Sequence, residues 1–144
     1  MTSNRFAVAV HIMTLLETSK AARLTSDIIA GSVNTNPVVI RRIIGSLNKA
    51  GLVATSAGIA GAVITRPAGE ITLFDIYNAV HNNGSDELFA IHEKPNPACT
   101  VGRHIQSSLE TAFNEAQKAM ENQLASITLE QITQDVLSKT NGLK

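Results

Sequence analysis

Residues 34–42 read NTNPVVIRR, an order of residue types that places a helix start directly before a pair of arginines. Asn36 is a good N-cap, and Pro37 suits the first helical position because no N–H is needed there. When the helix is laid out at about 100° per residue, its apolar residues form one stripe and both arginines lie opposite it. The helix runs to Ala50, and Gly51 stands where a left-handed C-terminal cap belongs. The pattern predicts a helix with one buried face and one basic face.

Helices and a hairpin are predicted on either side of this stretch. Residues 4–17 carry apolar residues at helical spacing, and a short helix follows Thr25, which is a suitable N-cap. The sequence LVATSAGIAGAVITRP, which begins at Leu52, has two β-prone pieces at 52–55 and 62–65 around the loop AGIAG. Three helices followed by a two-stranded hairpin, in this order, make a winged helix-turn-helix.

The second half of the chain is predicted to be helical. Thr72 and Asp75 form a capping-box pattern for a fourth helix, and a polar, turn-rich stretch follows it. A long helix is predicted over 100–125, and a second capping box at Thr128 opens the last helix. Apolar residues recur in the long helix at a spacing of seven, which suits packing against another helix. The predicted fold class is therefore mainly α with a small β-hairpin.

The charge of the chain is divided between its halves, although the total formal charge is zero. Residues 1–66 hold seven basic and two acidic residues, a net charge of +5, whereas residues 67–144 hold five basic and ten acidic residues, a net charge of −5. No acidic residue lies between Asp27 and Glu70. Such a division indicates that the first half meets a polyanion, and the alternative is a chance fluctuation on a solvated surface.

Duplex DNA is the polyanion that this arrangement favours. The third helix of a winged helix-turn-helix enters the major groove, where arginines contact guanine edges or phosphates. Aromatic residues are not clustered in the basic half, which argues against a stacking platform for single strands. The alternative is that the arginines only solubilise an amphipathic helix. The predicted DNA contacts comprise the helix start, its outer face and the wing: Asn34, Thr35, Asn36, Val38, Arg41, Arg42, Lys49, Gly58 and Arg66.

Four motifs resemble the Rrf2 family of winged-helix regulators, the group that includes IscR, NsrR and CymR. They are RFAVAVHIM near the start, NPVVIRRIIGSLNKAGLV, the short glycine-containing wing, and NPACTVG before the long helix. Their order matches over nearly the whole chain, and LFAIHEKPNPACTVG is similar to the YwnA-type members without an iron–sulfur cluster. The resemblance implies a homodimer joined by the long helix, with repression (sometimes activation) at a roughly palindromic operator.

On this resemblance the chain is divided into two units. Residues 1–67 would be the winged helix-turn-helix DNA-binding domain, and residues 68–144 an effector loop followed by a helical dimerisation region. The apolar stripe of the long helix would form the dimer contact through Ile105, Leu109, Ala112, Phe113, Ala116 and Met120. The sequence identifies no effector.

Cysteine usage separates this chain from the cluster-binding relatives, which carry three cysteines in the loop and at the start of the long helix. Here Cys99 is the single cysteine, and iron–sulfur clusters are held by several thiolates, so no cofactor is predicted. Cys99 lies near the start of the long helix, where the helix dipole favours a thiolate, and it is a candidate redox sensor. The alternative is an inert, partly buried cysteine. His92, Glu93 and His104 match no standard metal spacing with it, and no metal site is predicted.

Several protein classes are excluded by the same sequence. No apolar run approaches the ~20 residues of a membrane span, and the N-terminus lacks a clear cleavage site, so the expected location is the cytoplasm. Cys99 has no recognisable base and orienting partner, which argues against an enzyme. The favoured interpretation is a homodimeric transcriptional regulator that binds duplex DNA. The alternative is a protein-interaction dimer on a winged-helix scaffold that does not bind DNA.

Overall fold

The computed structural model describes residues 4–20, 23–81 and 95–141. Three helices come first, then an antiparallel hairpin, and then three further helices with a single 3-10 turn at Ala68–Glu70 before them. In chain order the elements are α1 (Arg5–Thr18), α2 (Ser26–Val33), α3 (Pro37–Lys49), β1 (Val53–Ser56), β2 (Ile59–Ile64), α4 (Leu73–Val80), α5 (Thr100–Ala125) and α6 (Leu129–Asn141). The predicted fold class, mainly helical with one small hairpin and a long helix in the second half, is confirmed.

The helix starts follow from local hydrogen bonds that the sequence predicts. The side-chain oxygen of Asn36 accepts hydrogen bonds from the N–H groups of Val38 at 2.8 Å and Val39 at 3.2 Å, which satisfies two donors that the first turn of α3 leaves free. At the start of α4, Asp75 N–H donates to the hydroxyl of Thr72 at 3.1 Å, and the Asp75 carboxylate accepts from Thr72 N–H at 3.0 Å. Both predicted caps are confirmed.

The wing is shorter at its tip than predicted. The expected loop of five residues, 57–61, is wrong because Ile59 already belongs to β2 and pairs with Ser56. A glycine at the turn explains the difference, since Gly58 adopts a φ of 75° that other residues rarely reach. The register shifts next to the Ser56 pair, and Gly61, with a φ of 93°, lies in the irregular part of β2.

Helix α1 is the centre of the hydrophobic core. It contacts α2, α3 and β2 and also α4 and α6. Its buried residues Ile12 and Met13 are fully inaccessible to solvent. The core continues past residue 67, since Ile76 of α4 and Leu129 of α6 belong to the same cluster. One packed core thus contains residues from both sides of position 67. The division into two functional units stays a prediction.

The long helix α5 is different from the other helices. None of its 26 residues is buried, although it packs against α4. At about 1.5 Å per residue it is roughly 39 Å long. No helix in the described ranges has both the length and the apolar character that crossing a bilayer requires.

Candidate nucleic-acid interface

The orientation of α3 is fixed by three apolar side chains. Ile40, Ile43 and Leu47 are at most 2% exposed and pack into the core. The opposite face of α3 therefore points to solvent, and it carries Arg41 and Arg42. The sequence prediction that these arginines lie opposite the buried stripe is confirmed.

The outward face of α3 is positively charged and uncompensated. Arg41, Arg42 and Lys49 are all exposed. Within the described part of the chain, no carboxylate lies within ion-pair distance of any of the three. Three exposed cations without an ion-pair partner among the described residues therefore lie on one 13-residue helix, where they create a positive potential.

The turn before α3 presents polar groups at the same end of the helix. Asn34 adopts a left-handed conformation with a φ of 65°, which asparagine tolerates well, and its N–H donates to Ala30 O at 2.8 Å. Thr35 N–H donates to the same carbonyl at 3.1 Å. The side-chain oxygen of Asn36 is used by the cap, which leaves its amide NH₂ to donate outward. Val38 follows in the first turn and is 52% exposed.

A shallow groove of about 330 Å³ separates α3 from the hairpin. Its walls combine polar and apolar groups, chiefly Arg41, Ile44, Gly45, Asn48, Thr55 and Ile59. The predicted DNA contacts did not include Asn48, Thr55 or Ile59. A signal for Asn48 was present, because it lies seven residues after Arg41 on the same face. No comparable signal existed for Ile59, which the prediction assigned to the loop.

The two predicted contacts of the wing lie in different settings. Gly58 is exposed at the tip of the hairpin. The guanidinium of Arg66 lies 4.0 Å from the Asp75 carboxylate, so part of its charge is already compensated. Arg66 also borders a second groove of about 440 Å³, which Lys20 lines. Arg66 therefore carries less uncompensated charge than the cations of α3.

The predicted dimerisation residues form one stripe along α5. At about 100° per residue they fall within an arc of about 100°. Ala112 and Ala116 are exposed, whereas four larger side chains are partly exposed in the single chain: Ile105, Leu109, Phe113 and Met120. A helix with an apolar stripe of this kind normally buries it against another helix.

Cys99 is exposed and stands at the N-cap position of α5, where its side chain makes no capping hydrogen bond. It is therefore not the partly buried cysteine of the alternative interpretation. The turn around it is closely packed. Cys99 N–H donates to Asn96 O at 3.2 Å, Arg103 Nε donates to Pro97 O at 3.3 Å, and a side chain at Gly102 would collide with the Asn96 carbonyl.

Tyr77 of α4 belongs to an aromatic cluster at the start of α1. Its ring meets that of Phe6 edge-on, with centroids 5.5 Å apart, and lies 4.6 Å from the ring of His81. This is a packing role of the kind that aromatic side chains usually have.

Residues 2–135 of this chain match the sequence pattern of the Rrf2 family, which is described as iron-dependent transcriptional regulator. The match spans all the helices and strands except the end of α6.

The residues of this chain do not fit an iron–sulfur cluster. Such clusters are held by several thiolates, and the sequence has one cysteine. Among the residues that the structure describes, no group of three or more His, Cys, Asp or Glu side chains is arranged to hold a metal ion. His92 and Glu93, which the sequence placed near Cys99, lie outside the described residues.

Individual relatives agree with the family match. YwnA of Bacillus subtilis, which is named an HTH-type transcriptional regulator, is 46% identical over 132 residues, covering 92% of this chain and 96% of YwnA. A crystal structure named as that of a DNA-binding protein is 42% identical, with a TM-score of 0.72 and coverage of 89% of this chain and 97% of that chain. The structure of CymR, the global cysteine regulator of B. subtilis, shares the fold at 22% identity, with a TM-score of 0.66 and coverage of 93% and 96%. The chain belongs to the Rrf2 family and is a transcriptional regulator, not an enzyme.

Proposed function

We propose that the protein binds a palindromic duplex operator as a homodimer and represses transcription there. The observation that carries the proposal is the outward face of α3, where Arg41, Arg42 and Lys49 are exposed and have no acidic partner among the described residues. Phosphate contacts supply a large share of the affinity of DNA-binding proteins, so a surface of this kind fits a polyanion.

The major groove fits α3 in size as well as in charge. An α-helix with its side chains is about 10–12 Å across, and the major groove of B-DNA is about 12 Å wide. The polar turn at Asn34 to Asn36 lies at the end of α3 that meets base edges in helix-turn-helix proteins. Gly58 leaves the tip of the wing small enough to approach the adjacent backbone.

A second copy of the chain is the partner proposed for α5. An isolated helix in water gains little stability from propensity alone, and most of its stability comes from packing an apolar face. Partly exposed Leu109 and Phe113 lie on such a face, and the alanines at 112 and 116 permit close approach of a second helix. Two-fold pairing through α5 presents two copies of α3, which explains a palindromic site.

Repression follows from occupancy. A dimer that covers about two DNA turns excludes other proteins from that segment. Because the charged surface of α3 is complete in the single chain, DNA binding needs no cofactor in this proposal. The cytoplasmic location stays a prediction.

The experiment is selection of bound duplexes from a random DNA library. The unmodified protein is expected to enrich a palindromic site. The double variant Arg41→Ala/Arg42→Ala is expected to enrich none, while its dimer remains intact. The matched control is Lys118→Ala/Lys139→Ala, which removes the same charge from exposed positions on α5 and α6 and is expected to enrich the same site.

The alternative function, a protein-interaction dimer that does not bind DNA, is distinguished by the same selection. It requires that no duplex be enriched and that the two arginines be dispensable for binding a protein partner. Among the described residues Arg41 and Arg42 have no acidic neighbours, which favours the DNA-binding function, because solvated helix faces usually mix both signs of charge.

We further propose that Cys99 makes the regulator thiol-responsive. The thiol is exposed and lies at the start of the dimer helix, in a turn where Gly102 already has no space for a side chain. Reaction of the thiol with hydrogen peroxide gives a sulfenic acid and water, which adds an oxygen atom to the side chain at the start of α5.

The test compares operator binding before and after mild peroxide treatment. Binding by the unmodified chain is expected to fall after peroxide, whereas Cys99→Ser is expected to bind equally well before and after. Equal peroxide sensitivity in both proteins would place the oxidised group elsewhere. Loss of binding by Cys99→Ser without any oxidant would make the role of Cys99 structural.

A further inference from the structure

Gly45 occupies the middle of α3, where neither backbone conformation nor packing among the described residues requires glycine. Its φ is not in the left-handed region, so glycine is not needed for the backbone conformation. A Cβ added at this position would meet no atom within 4 Å. Glycine inside a helix is less stable than alanine, and an internal helical glycine usually has a packing or functional reason. Packing is excluded here among the described residues.

The position of Gly45 on the helix suggests the functional reason. At about 100° per residue it lies almost opposite the centre of the buried stripe of Ile40, Ile43 and Leu47. Its neighbours on the helix surface, four and three residues before it and three and four residues after it, are Arg41, Arg42, Asn48 and Lys49. Gly45 is thus a patch of bare backbone surrounded by cations and one amide.

We infer that Gly45 sets the depth of α3 in the major groove by letting base-pair edges contact the bare backbone. This inference rests on the proposed function and names the part of the duplex that Gly45 meets. The major groove is about 8.5 Å deep and about as wide as a helix, so the line of α3 opposite the core faces the groove floor. Arg41 and Arg42 lie on either side of that line, where the phosphates of the groove walls stand.

A second residue on the same line supports a base-edge contact. Val38 lies seven residues before Gly45, two helical turns away, and is 52% exposed. The two positions are about 10.5 Å apart along the helix, a distance that corresponds to about three base pairs. The centre of the outward face therefore presents a small apolar group and bare backbone, which fit thymine methyl groups and base edges better than phosphates.

The experiment uses the full chain and the operator selected for it. Gly45→Ala is expected to raise the melting temperature by about 2–4 °C, because alanine favours the helix. The same variant is expected to bind the operator at least about tenfold more weakly. Its affinity for a random duplex of equal length is expected to change less than about twofold, because non-specific binding depends on phosphates. Gly45→Leu is expected to weaken operator binding further.

Gly31→Ala is the matched control. Gly31 is also exposed and helical, in α2, and a Cβ there would also meet no atom within 4 Å. It is expected to stabilise the fold without changing operator affinity by more than about twofold. Equal losses in the two variants would overturn the assignment to Gly45.

The remaining outcomes are equally decisive. Unchanged operator binding by Gly45→Ala and Gly45→Leu would overturn the inference and leave the proposed function intact. Equal losses on the operator and on the random duplex would place a phosphate at Gly45 and overturn the base-edge contact. If the unmodified chain enriches no duplex, the proposed function fails first, and the inference fails with it.

Discussion

Replacing Arg41 and Arg42 by alanine is expected to flatten the salt dependence of duplex binding. Each α3 carries three exposed cations without an acidic partner among the described residues, Arg41, Arg42 and Lys49, so a dimer carries six. Each neutralised phosphate contributes about −0.9 to the slope of log affinity against log salt, so the unmodified dimer is expected to have a slope of about −5. Arg66 adds less, because Asp75 lies 4.0 Å away.

The double variant removes four of these six cations from the dimer. Its slope is therefore expected to be about −2. Doubling the salt concentration should weaken the unmodified protein by about 40-fold and the variant by only about 3- to 4-fold.

The assay is fluorescence anisotropy of a labelled duplex, titrated at several salt concentrations with dimer integrity checked by sedimentation. Lys118→Ala/Lys139→Ala removes the same number of charges from α5 and α6 and should keep the original slope. The reasoning is refuted if the arginine variant keeps the slope of the unmodified protein. It is also refuted if the control flattens the slope by the same amount, because the charge would then act through the net charge of the whole protein.

The other predictions concern the cap, the dimer and base reading. Asn36→Ala should lower the free energy of unfolding by about 1 kcal/mol in urea denaturation, because two N–H groups of α3 lose their acceptor. Asn36→Ser should restore most of that free energy. An unchanged urea midpoint in the alanine variant would contradict the capping role. Leu109→Asp should give monomers in sedimentation equilibrium, because the dimer would bury an unpaired charge. Lys118→Asp, on the opposite side of α5, should leave the dimer intact. A dimer that survives Leu109→Asp would place the interface elsewhere. Replacing operator thymines by uracil, one at a time, should weaken binding about fourfold at the thymine whose methyl group Val38 contacts. Val38→Ala should abolish the difference between thymine and uracil at that position. A uracil effect that persists in the variant would assign the methyl contact to another residue.

The sequence predicted the helical part of the fold well, because local chemistry determines it. Asn36 and Pro37 define the start of α3, and the alternation of Ile40, Ile43 and Leu47 with the arginines defines its two faces. The limits of α5, Thr100 and Ala125, agree with the predicted range of 100–125. In each case the signal lies within a few residues of the feature that it predicts.

The hairpin and the interface groove were predicted less well, because they depend on backbone pairing and on side-chain contacts between different elements. The register that pairs Ser56 with Ile59 requires a turn of two residues, and the glycines at 58 and 61 were compatible with a longer loop as well. The ion pair between Arg66 and Asp75 joins residues nine positions apart, so the sequence alone counted Arg66 as a free cation. Gly45 was visible on the basic face, but only the open space around its position shows that packing does not require glycine there.

The most direct test of the central claim is a dimethyl sulfate footprint of the protein on its selected operator. This reagent methylates guanine N7 in the major groove and adenine N3 in the minor groove. Two clusters of protected guanines are expected, about 10–10.5 base pairs or a multiple of that distance apart. In the complex of Arg41→Ala/Arg42→Ala, at concentrations high enough to saturate binding, neither cluster of guanines should be protected. Stable binding that leaves guanine N7 open and protects only adenine N3 would contradict insertion of α3 into the major groove.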